Sequence, residues 1–473
     1  MSGLAVELRY EAAADLVTLR AMLARLAHRG AGAPIQPERS IALGGAGVRP
    51  VTDGEGRAIV LTGKLTDRVA IEARLGLERE TDDETVIMTG WAREGTAFLA
   101  RLGGAFALAL WDAPARQLVL ARDRLGRRPL VYARTARGVR AASEPYALAV
   151  DTSSLFRPNL RELAMAMVEE PGPPGQTLIE GIEALLPGHT LITDGRSTVV
   201  RRFTRLEVTE ARDVASVGEA ADRLDDALCR ALSETRDERG RTAIWISGGL
   251  DSTTLAALTV REARRAGSAP PILVSTGFPG MGCDETRSAA RVASHLGQEL
   301  VVVDAPSREE DFIPSGPADL LYQPFQPLWA KTARALAERG VTLHRMGLGA
   351  DESQWRTGFE CESALREGRW ADAAVHAGLH DAPWSPQPWR RLAKGVVRRL
   401  YTSDIRERLG KPRWGDVRWT PAWASAHAKS LIADARAARR DAMRAYHQED
   451  IARENRVTWL VGGPAGPRLH EHL

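Results

Sequence analysis

Residues 243–252 read Ala-Ile-Trp-Ile-Ser-Gly-Gly-Leu-Asp-Ser, and they decide how the rest of the chain is interpreted. An apolar run, a Gly-Gly turn and a helix-like segment over 252–265 predict a strand that enters a helix through a short loop. Glycines let backbone N–H groups approach an anion, and the helix N-terminus adds the positive end of its dipole. The hydroxyls of Ser247 and Ser252 can donate further hydrogen bonds. The stretch therefore predicts a phosphate-binding loop.

The acidic residue in this loop points to a cation, because Asp251 would repel a bare phosphate. Carboxylates hold Mg²⁺ against phosphate oxygens, so the loop predicts ATP and Mg²⁺ as cofactors and cleavage between the α- and β-phosphates. A Gly-Gly turn by itself is usually no more than a turn, but this one sits at a strand-to-helix junction. The Walker pattern G-x-x-x-x-G-K followed by Ser or Thr does not occur in the sequence.

Composition narrows the class of protein. The 473 residues suffice for two or three domains, and 44% hydrophobic with 26% charged residues is typical of a globular protein. The net charge of +3 and the dispersed arginines indicate solvated helices and predict no nucleic-acid partner. Cys229, Cys283 and Cys361 show no metal or disulfide pattern. The first residues lack a signal-peptide design, and no apolar run approaches the roughly 20 residues of a membrane span. We therefore expect a cytoplasmic protein with no membrane partner.

Strand-like runs broken by turns fill the first half of the chain, together with one predicted helix over 83–93. The predicted strands are 58–62, 105–111, 117–122, 129–134 and 138–143. From about Phe203 a helical pattern appears, with five apolar residues on one face: Val217, Ala221, Leu224, Leu228 and Leu232.

Predicted strands then alternate with helices, at 242–246, 272–275, 300–303 and 341–346. This alternation predicts an open parallel α/β sheet whose ligands bind at the carboxyl ends of its strands. Three polar or glycine-rich strand ends, at 247–252, 275–277 and 346–351, are expected to meet at that edge. Beyond residue 362 the sequence becomes rich in Trp and Arg and predicts helices, with loops near 380–387 and 411–419.

The sequence resembles the asparagine synthetase superfamily over nearly its whole length. Residues 103–112 are similar to the strand L-x-G-x-F-A-x-x-x-W-D of that family, and residues 121–130 to its hairpin A-R-D-x-x-G-x-x-P-L-Y. Ala-Ser-Glu at 142–144 and Leu-Pro-Gly-His at 186–189 match two further signatures. The resemblance implies an N-terminal-nucleophile (Ntn) type α/β sandwich, a degenerate glutamine amidotransferase type 2-like domain, over 1–205. It implies a PP-loop ATP-binding synthetase domain, a parallel sheet with a helical lobe, over 206–473.

The second half carries the family's motifs in the family's order, at 247–252, 284–285 and 349–352. By this resemblance Asp251 and Asp351 hold Mg²⁺ on the phosphates of ATP. Glu285 and Glu352 either take part in catalysis or are simple charges at helix N-termini. The resemblance also implies two groups of nucleotide-binding residues. Pyrophosphate would be bound by Ser247, Gly248, Gly249 and Ser252, and the adenosine pocket would be lined by Ile246, Val274, Ser275, Met346 and Gly347.

The glutamine-hydrolysing machinery of the family is incomplete in this sequence. Members that use glutamine need Cys as the first mature residue, with its thiolate as nucleophile and its α-amine as base. Here Ser2 follows Met1, and Thr62 stands where the family has its glutamine-binding asparagine. Asp83 keeps a related acidic position but binds nothing alone. We therefore expect the first domain to be a structural relic without an ammonia supply, the alternative being that processing exposes Ser2 as a nucleophile.

A second departure concerns the amine that attacks the activated acid. Leu348 stands where asparagine synthetases place Glu and β-lactam synthetases place Tyr. Leu neither takes nor gives a proton, which argues against both activities and requires any base to come from elsewhere. The lasso peptide cyclase branch remains. Its members activate an Asp or Glu side chain of a precursor peptide as an acyl-AMP, which the N-terminal amine of the same peptide attacks, helped by proximity.

Residues 368–423 resemble the variable helical region of the lasso peptide cyclase branch. Trp329, Trp355, Trp384 and Trp389 are candidate liners of a peptide cavity, or core residues. The family normally provides a Lys near the transition state, but no Lys follows Lys429 before Leu473. We expect a truncated chain, a partner chain that supplies the rest, or impaired catalysis.

Together these features predict an ATP- and Mg²⁺-dependent, AMP-forming ligase that makes amide bonds, most like a lasso peptide macrolactam cyclase. Its expected partners are a precursor peptide or a small carboxylate, with a leader peptidase or recognition protein from the same pathway. Three rivals stay open: a small-molecule amide or β-lactam synthetase, a glutamine-hydrolysing asparagine synthase, and an inactive scaffold that binds ATP or a peptide.

Overall fold

The computed structural model describes residues 2–150, 157–168, 172–204, 214–236, 240–305, 326–347, 370–377, 384–400 and 424–447, together with Leu365, Gly368 and Leu379. These ranges form two six-stranded antiparallel sheets, one four-stranded parallel sheet and helices around them. The antiparallel sheets lie before residue 205 and the parallel sheet lies after residue 240. The predicted α/β class, with a sandwich followed by a parallel sheet, is confirmed.

The first antiparallel sheet contains six strands: β1 (Gly3–Arg9), β2 (Gly32–Glu38), β3 (Ile41–Ala46), β8 (Val131–Thr135), β9 (Gly138–Ala142) and β10 (Glu183–Ala184). The second contains β4 (Val51–Thr52), β5 (Ala58–Thr66), β6 (Gly103–Asp112), β7 (Gln117–Arg122), β11 (His189–Thr193) and β12 (Thr198–Arg202). Their orders are β10-β8-β9-β1-β3-β2 and β12-β11-β7-β6-β5-β4. The parallel sheet contains β13 (Arg241–Trp245), β14 (Ile272–Gly277), β15 (Leu300–Asp304) and β16 (Val341–Met346), in the order β15-β14-β13-β16.

The helices of the first half are α1 (Leu16–Arg25), α2 (Arg68–Leu75), α3 (Asp83–Glu94), α4 (Thr96–Leu99), α5 (Pro145–Leu148) and α6 (Leu160–Met167), with a 3-10 turn at Ala27–Arg29. Those of the second half are α7 (Val217–Glu234), α8 (Leu250–Arg265), α9 (Thr286–Leu296), α10 (Gln326–Ala337), α11 (Trp370–Ala377), α12 (Pro386–Leu400) and α13 (Ala426–His447). None of the helices in the described ranges combines the length and apolar character that a bilayer span requires.

Strand β6 explains the layering of the first half, because its residues alternate between two cores. Ala107, Ala109 and Trp111 face the other sheet, whereas Phe106 and Leu108 pack with the residues of α3 and α4. Successive side chains of a strand point to opposite faces, so a strand that is apolar at every position must be covered on both sides. Helix α1 covers the outer face of the first sheet in the same way. The result is a sandwich of two sheets between two layers of helices.

The parallel sheet is likewise buried on both faces, as parallel sheets usually are. Ile244 and Ile246 pack with α8 and α9 on one face, and Ala243 packs with α10 on the other. Strand β13 lies in the centre, paired with β14 and β16. The loop after β13 therefore has strand ends on both sides.

Most sequence-predicted elements occur, with ends shifted by up to four residues, as the bounds above show. The apolar face predicted for α7 is only partly buried. Leu232 is buried, but Leu224 is 46% exposed and Val217 is 88% exposed, so the helix packs mainly at its C-terminal end. The predicted loop at 380–387 lies partly in the described ranges, where α12 already begins at Pro386. The predicted loop at 411–419 lies outside them.

Candidate functional site

The carboxyl ends of β13, β14 and β16 lie side by side, as expected for neighbouring parallel strands. Ile246 extends the pairing beyond β13, since its N–H donates to the carbonyl of Val274 at 2.8 Å. Both residues are fully buried, and Ser275 beside them is 2% exposed. These sequence-predicted residues form the floor on which the loop at 247–252 stands.

The loop at 247–252 is held in shape by its own serines. The hydroxyls of Ser247 and Ser252 are 3.2 Å apart, and the N–H of Ser247 donates to the Ser252 hydroxyl at 3.3 Å. The N–H of Gly249 donates to the Ser247 hydroxyl at 3.2 Å. Gly249 is the N-cap residue of α8, so the N–H groups in the first turn of that helix lie at the loop without a partner within the helix. Such amides and the helix dipole favour an anion at this place.

Gly248 fits the loop because it has no side chain. Its φ of +86° is a left-handed conformation, and a Cβ there would lie 2.5 Å from the Cβ of Ser288 in α9. Helix α9 therefore packs directly against the loop. Glu285 is the N-cap residue of α9 and is exposed, with no side-chain capping bond. The preceding Asp284 accepts from the N–H of Thr286 at 3.1 Å instead, which lowers the pKa of this carboxyl.

Gly347 places the end of β16 against the start of α8. A Cβ on Gly347 would lie 3.1 Å from the N atom of Ser252 and 3.4 Å from the Cβ of Asp251. The end of β16 at Gly347 therefore lies next to the loop. Asp351 and Glu352 follow the end of β16 within six residues, but both lie outside the described residues. Their predicted roles stay predictions.

Asp251 is the described carboxylate best placed for a metal ion. It lies in the first turn of α8, is half-buried, and makes no hydrogen bond or ion pair within the described ranges. A carboxylate with free oxygens beside a loop that favours an anion suits Mg²⁺, which usually binds through one or two carboxylates and phosphate oxygens. Among the described residues no group of three or more acidic, His or Cys side chains is placed to hold a metal. Asp251 would thus need the phosphates, or residues such as Asp351, to complete a site.

Sequence reasoning did not single out two residues beside Met346. His344 stacks on Trp245 with ring centroids 5.5 Å apart, and both of its ring nitrogens are buried without a hydrogen-bond partner. Burial lowers the pKa of His344 to about 4 and that of Arg345 to about 10. The Arg345 guanidinium donates to the carbonyl of Leu232 at 2.8 Å. A His and an Arg inside a predicted strand were the signal that could have identified both.

The tryptophans proposed as cavity liners have different surroundings. Trp329 belongs to the core between the parallel sheet and α10 and is 7% exposed. It is therefore a core residue, the second of the two predicted alternatives, and not a cavity liner. Trp384 is 96% exposed and Trp389 is 55% exposed. Trp355 lies outside the described residues. Two exposed tryptophans thus lie at the start of α12.

In the first domain, the side chains at the family's glutamine-binding positions are bonded to other groups of the protein. The Thr62 hydroxyl donates to the carbonyl of Ala107 at 3.1 Å and is 1% exposed. One oxygen of Asp83 accepts from the N–H of Leu65 at 2.9 Å, and the other pairs with Arg68 at 2.9 Å. Burial raises the pKa of Asp83 against the effect of these two partners. Neither side chain is free to hold an amide substrate.

A buried ion pair lies at the start of β1. Arg29 pairs with Glu144 through a very short contact and donates to the carbonyl of Ser2 at 3.4 Å. His28 also contacts Glu144, at 2.7 Å. Burial alone would raise the pKa of Glu144, but the hydrogen bond from His28 and the charge of Arg29 lower it below 4.5. The Ser143 hydroxyl accepts a hydrogen bond from the N–H of Leu4 at 2.9 Å. The Ala-Ser-Glu signature therefore anchors the first strand.

Comparison with protein families divides the chain into two matching parts. Residues 223–462 match the family described as asparagine synthase, and residues 1–204 match the glutamine amidotransferase domain. The first of these matches covers just over half of the chain.

Several named proteins are similar in sequence. A Mycobacterium tuberculosis protein, provisionally named a glutamine-hydrolysing asparagine synthetase, is 31% identical over 46% of this chain and 33% of its own length. Bacillus subtilis asparagine synthetase 3, also glutamine-hydrolysing by name, is 25% identical over 46% of this chain and 36% of its own length. Amidase chry2 of Gibberella zeae is 26% identical over 66% of this chain and 49% of its own length. The chain thus spans between a third and a half of these relatives.

Two solved structures show limited similarity. Glutamine phosphoribosylpyrophosphate amidotransferase of B. subtilis has a TM-score of 0.33 at 13% identity, covering 73% of this chain and 90% of that one. The NH3-dependent NAD synthetase of Campylobacter jejuni has a TM-score of 0.23 at 14% identity, covering 48% and 97%. TM-scores of this size define no common whole-chain fold.

Proposed function

The chain belongs to the asparagine synthase family, and from that premise we propose that it is an ATP-dependent carbon–nitrogen ligase. It would adenylate a carboxylate, release pyrophosphate and transfer the acyl group to an amine. The loop at 247–252 carries this proposal. Its amides point out of the start of α8, two hydroxyls flank them, and the free carboxylate of Asp251 lies beside them.

The proposed reaction has two steps. A carboxylate oxygen attacks the α-phosphorus of ATP, the bond from that phosphorus to the bridging oxygen breaks, and pyrophosphate leaves. The amine nitrogen then attacks the acyl carbon, loses a proton, and AMP leaves. The first-turn amides of α8 and the hydroxyls of Ser247 and Ser252 would hold the departing pyrophosphate. Mg²⁺, held by Asp251 and Asp351 when bound, would offset the charge of the phosphates.

The nucleotide would lie across the strand ends described above. Ile246, Val274 and Ser275 form a buried floor, and Met346 and Gly347 close it on the side of β16. Gly347 allows that strand to approach α8 without a side chain between them. Glu285 begins the helix that packs on Gly248, and its carboxylate is exposed.

We propose more specifically that the enzyme is a lasso peptide macrolactam cyclase of the cytoplasm. Its substrate would be a precursor peptide, whose Asp or Glu side chain is activated and then attacked by the peptide's own N-terminal amine. The amine would come from the substrate because the first domain has Ser2 in place of Cys, and Thr62 and Asp83 are bonded to the protein itself. The exposed Trp384 and Trp389 offer apolar surface for a peptide.

The names of two relatives favour a second candidate, glutamine-hydrolysing asparagine synthesis. In that case aspartate would be the activated acid and ammonia the amine. Leu348 in place of Glu argues against this candidate, because Leu moves no proton. The two candidates share the adenylation step and differ in the acid and the amine.

Pyrophosphate–ATP exchange tests the shared step. The purified full chain is assayed with a precursor peptide that bears an internal Asp or Glu, and separately with aspartate plus ammonia or glutamine. Asp251→Asn is the test variant because it keeps the shape of the side chain and removes its charge. Asp222→Asn, at an exposed position of α7, is the matched control.

The outcomes separate the proposals. Exchange that needs the peptide, is lost in Asp251→Asn and is kept in Asp222→Asn supports the cyclase. Exchange with aspartate alone supports asparagine synthesis. A folded protein that exchanges with no acid would refute the ligase proposal and leave a scaffold that binds ATP or a peptide.

A further inference from the structure

The turn between β7 and β8 holds two arginines that lack an acidic partner. Among the residues that the structure describes, the guanidinium groups of Arg127 and Arg128 make no hydrogen bond and no ion pair, and the Nε atom of each is buried. Both arginines are half-buried. Two neighbouring guanidinium groups without a protein partner leave donors available for an anion from outside the chain.

The nearest carboxylate does not serve as that partner. Asp123 is fully buried, and its oxygens accept from the backbone N–H groups of Phe106 at 3.2 Å, Leu125 at 3.0 Å and Arg128 at 3.2 Å. These bonds shape the turn and occupy much of the carboxylate's capacity to accept. Asp123 offsets charge nearby but binds neither guanidinium group.

Hydrogen bonds hold the backbone of this turn, so the positions from which its arginines extend are fixed before any ligand arrives. Arg122 donates to the carbonyls of Arg128 at 2.7 Å, Gly126 at 2.6 Å and Leu185 at 2.9 Å. Gly126 has a φ of +63°, and a Cβ there would lie 2.7 Å from Pro187. A site that is ordered in advance loses less entropy when it binds.

A third arginine, Arg29, lies near Arg128, and Glu144 balances its charge. Arg128 Nε lies 3.1 Å from where a Cβ on Gly63 would be, and Arg29 reaches the carbonyl of Ser2. Burial lowers the pKa of Arg128, and the charges of Arg29 and Arg127 lower it further, against the effect of Asp123. The group formed by Arg29, Arg127 and Arg128, called here the arginine cluster, thus lies where β1 begins and β5 passes. Glu144 pairs with Arg29 and with neither of the other two arginines.

We propose that Arg127 and Arg128, with Arg29 behind them, form a binding site for an oxyanion group, a carboxylate or a phosphate, of a small ligand. The planar guanidinium fork matches both groups through paired hydrogen bonds. The site needs no nucleophile and lies in the first domain, so it goes beyond the ligase reaction proposed for the second half. A bound oxyanion would supply the partner that the chain itself does not.

Calorimetric titration of the full chain tests this site, with succinate as the carboxylate probe and inorganic phosphate as the phosphate probe. Ionic strength is held constant with chloride. We expect saturable binding of at least one probe. Arg128→Gln and Arg127→Gln should each weaken it by about tenfold or more, the usual effect of losing a charged hydrogen bond. Arg116→Gln, which removes the same charge from an exposed arginine paired with Glu38, should leave binding unchanged.

Each outcome decides the proposal. Saturable binding of succinate alone assigns a carboxylate ligand, and binding of phosphate alone assigns a phosphate ligand. Absence of saturable binding for both probes overturns the site, as does binding that both cluster variants leave unchanged. If Arg128→Gln does not fold, Arg127→Gln decides alone. Thermal unfolding without anions gives a second readout, because removing an unpaired cation should keep or raise the melting temperature of Arg128→Gln.

Discussion

Gly248 in the loop at 247–252 packs against Ser288, since a Cβ added to Gly248 would lie 2.5 Å from the Cβ of Ser288. One residue belongs to the loop and the other to the first turn of α9. The loop therefore depends on α9 as well as on α8. This contact explains why Gly is required at 248 beyond its φ of +86°.

Gly248→Ala should damage the proposed nucleotide site severely. The new Cβ must push Ser288 away while the backbone stays left-handed, which costs about 1–3 kcal/mol of folding free energy. A displacement of the loop by about 1 Å should reduce pyrophosphate exchange roughly a hundredfold. Gly267→Ala is the control, because Gly267 has a φ of +61° with nothing within 4 Å. Equal exchange in Gly248→Ala and the native chain would contradict the role of the loop.

Asp123→Ala should destabilise the first domain strongly. Three backbone N–H groups would lose their acceptor in a fully buried place, with an expected loss of at least about 3 kcal/mol. Asp194→Ala is the comparison, because Asp194 also accepts two backbone N–H groups but is exposed, so water can replace it. Urea unfolding measures both. Similar losses for the two variants would show that burial does not control the effect.

Sequence patterns predicted the elements whose signal is local. Strand β13 and the loop after it were predicted because an apolar run, two glycines and a helix follow one another. Strands β1 and β3 were not predicted. In β3 the segment Ile41–Ala46 contains two glycines, and it becomes a strand through pairing with β1, which no local pattern reveals. Tertiary pairing overrides weak local preference in such strands.

In the candidate site, too, sequence patterns predicted the local features and missed the long-range contacts. The loop residues and the strand ends at Val274, Ser275 and Gly347 meet as expected. The contact of Ser288 with Gly248 and the stacking of His344 on Trp245 join residues far apart in sequence. Such contacts depend on how helices and strands pack, so motif spacing could not predict them.

Glu144→Gln should destabilise the chain at neutral pH, because it leaves the buried Arg29 without a carboxylate. Breaking a buried pair typically costs about 3–5 kcal/mol. The pKa of Glu144 is lowered in the folded state, so its contribution is complete above 4.5 and is lost as pH falls through the folded pKa. The difference in melting temperature between native and variant chains should therefore shrink below pH 4.5. Glu94→Gln, at a more exposed carboxylate paired with Arg74 and Arg101, should have a small effect. A difference that is constant from pH 7 to pH 3 would contradict this account.

His344→Leu should make the chain less sensitive to acid. Burial lowers the pKa of His344 from 6.5 to about 4, so the unfolded chain binds a proton in a range where the folded chain does not. Stability from this residue is therefore complete above pH 6.5 and falls as pH drops toward 4, by about 3 kcal/mol in all. Leu keeps apolar contact with Trp245 and removes the titration. Urea unfolding at pH 7.5 and pH 4.5 should show a smaller loss in the variant, and His295→Leu, at an exposed histidine of α9, is the control. An equal loss in native and His344→Leu chains would mean that His344 gains a partner for its proton when it is charged.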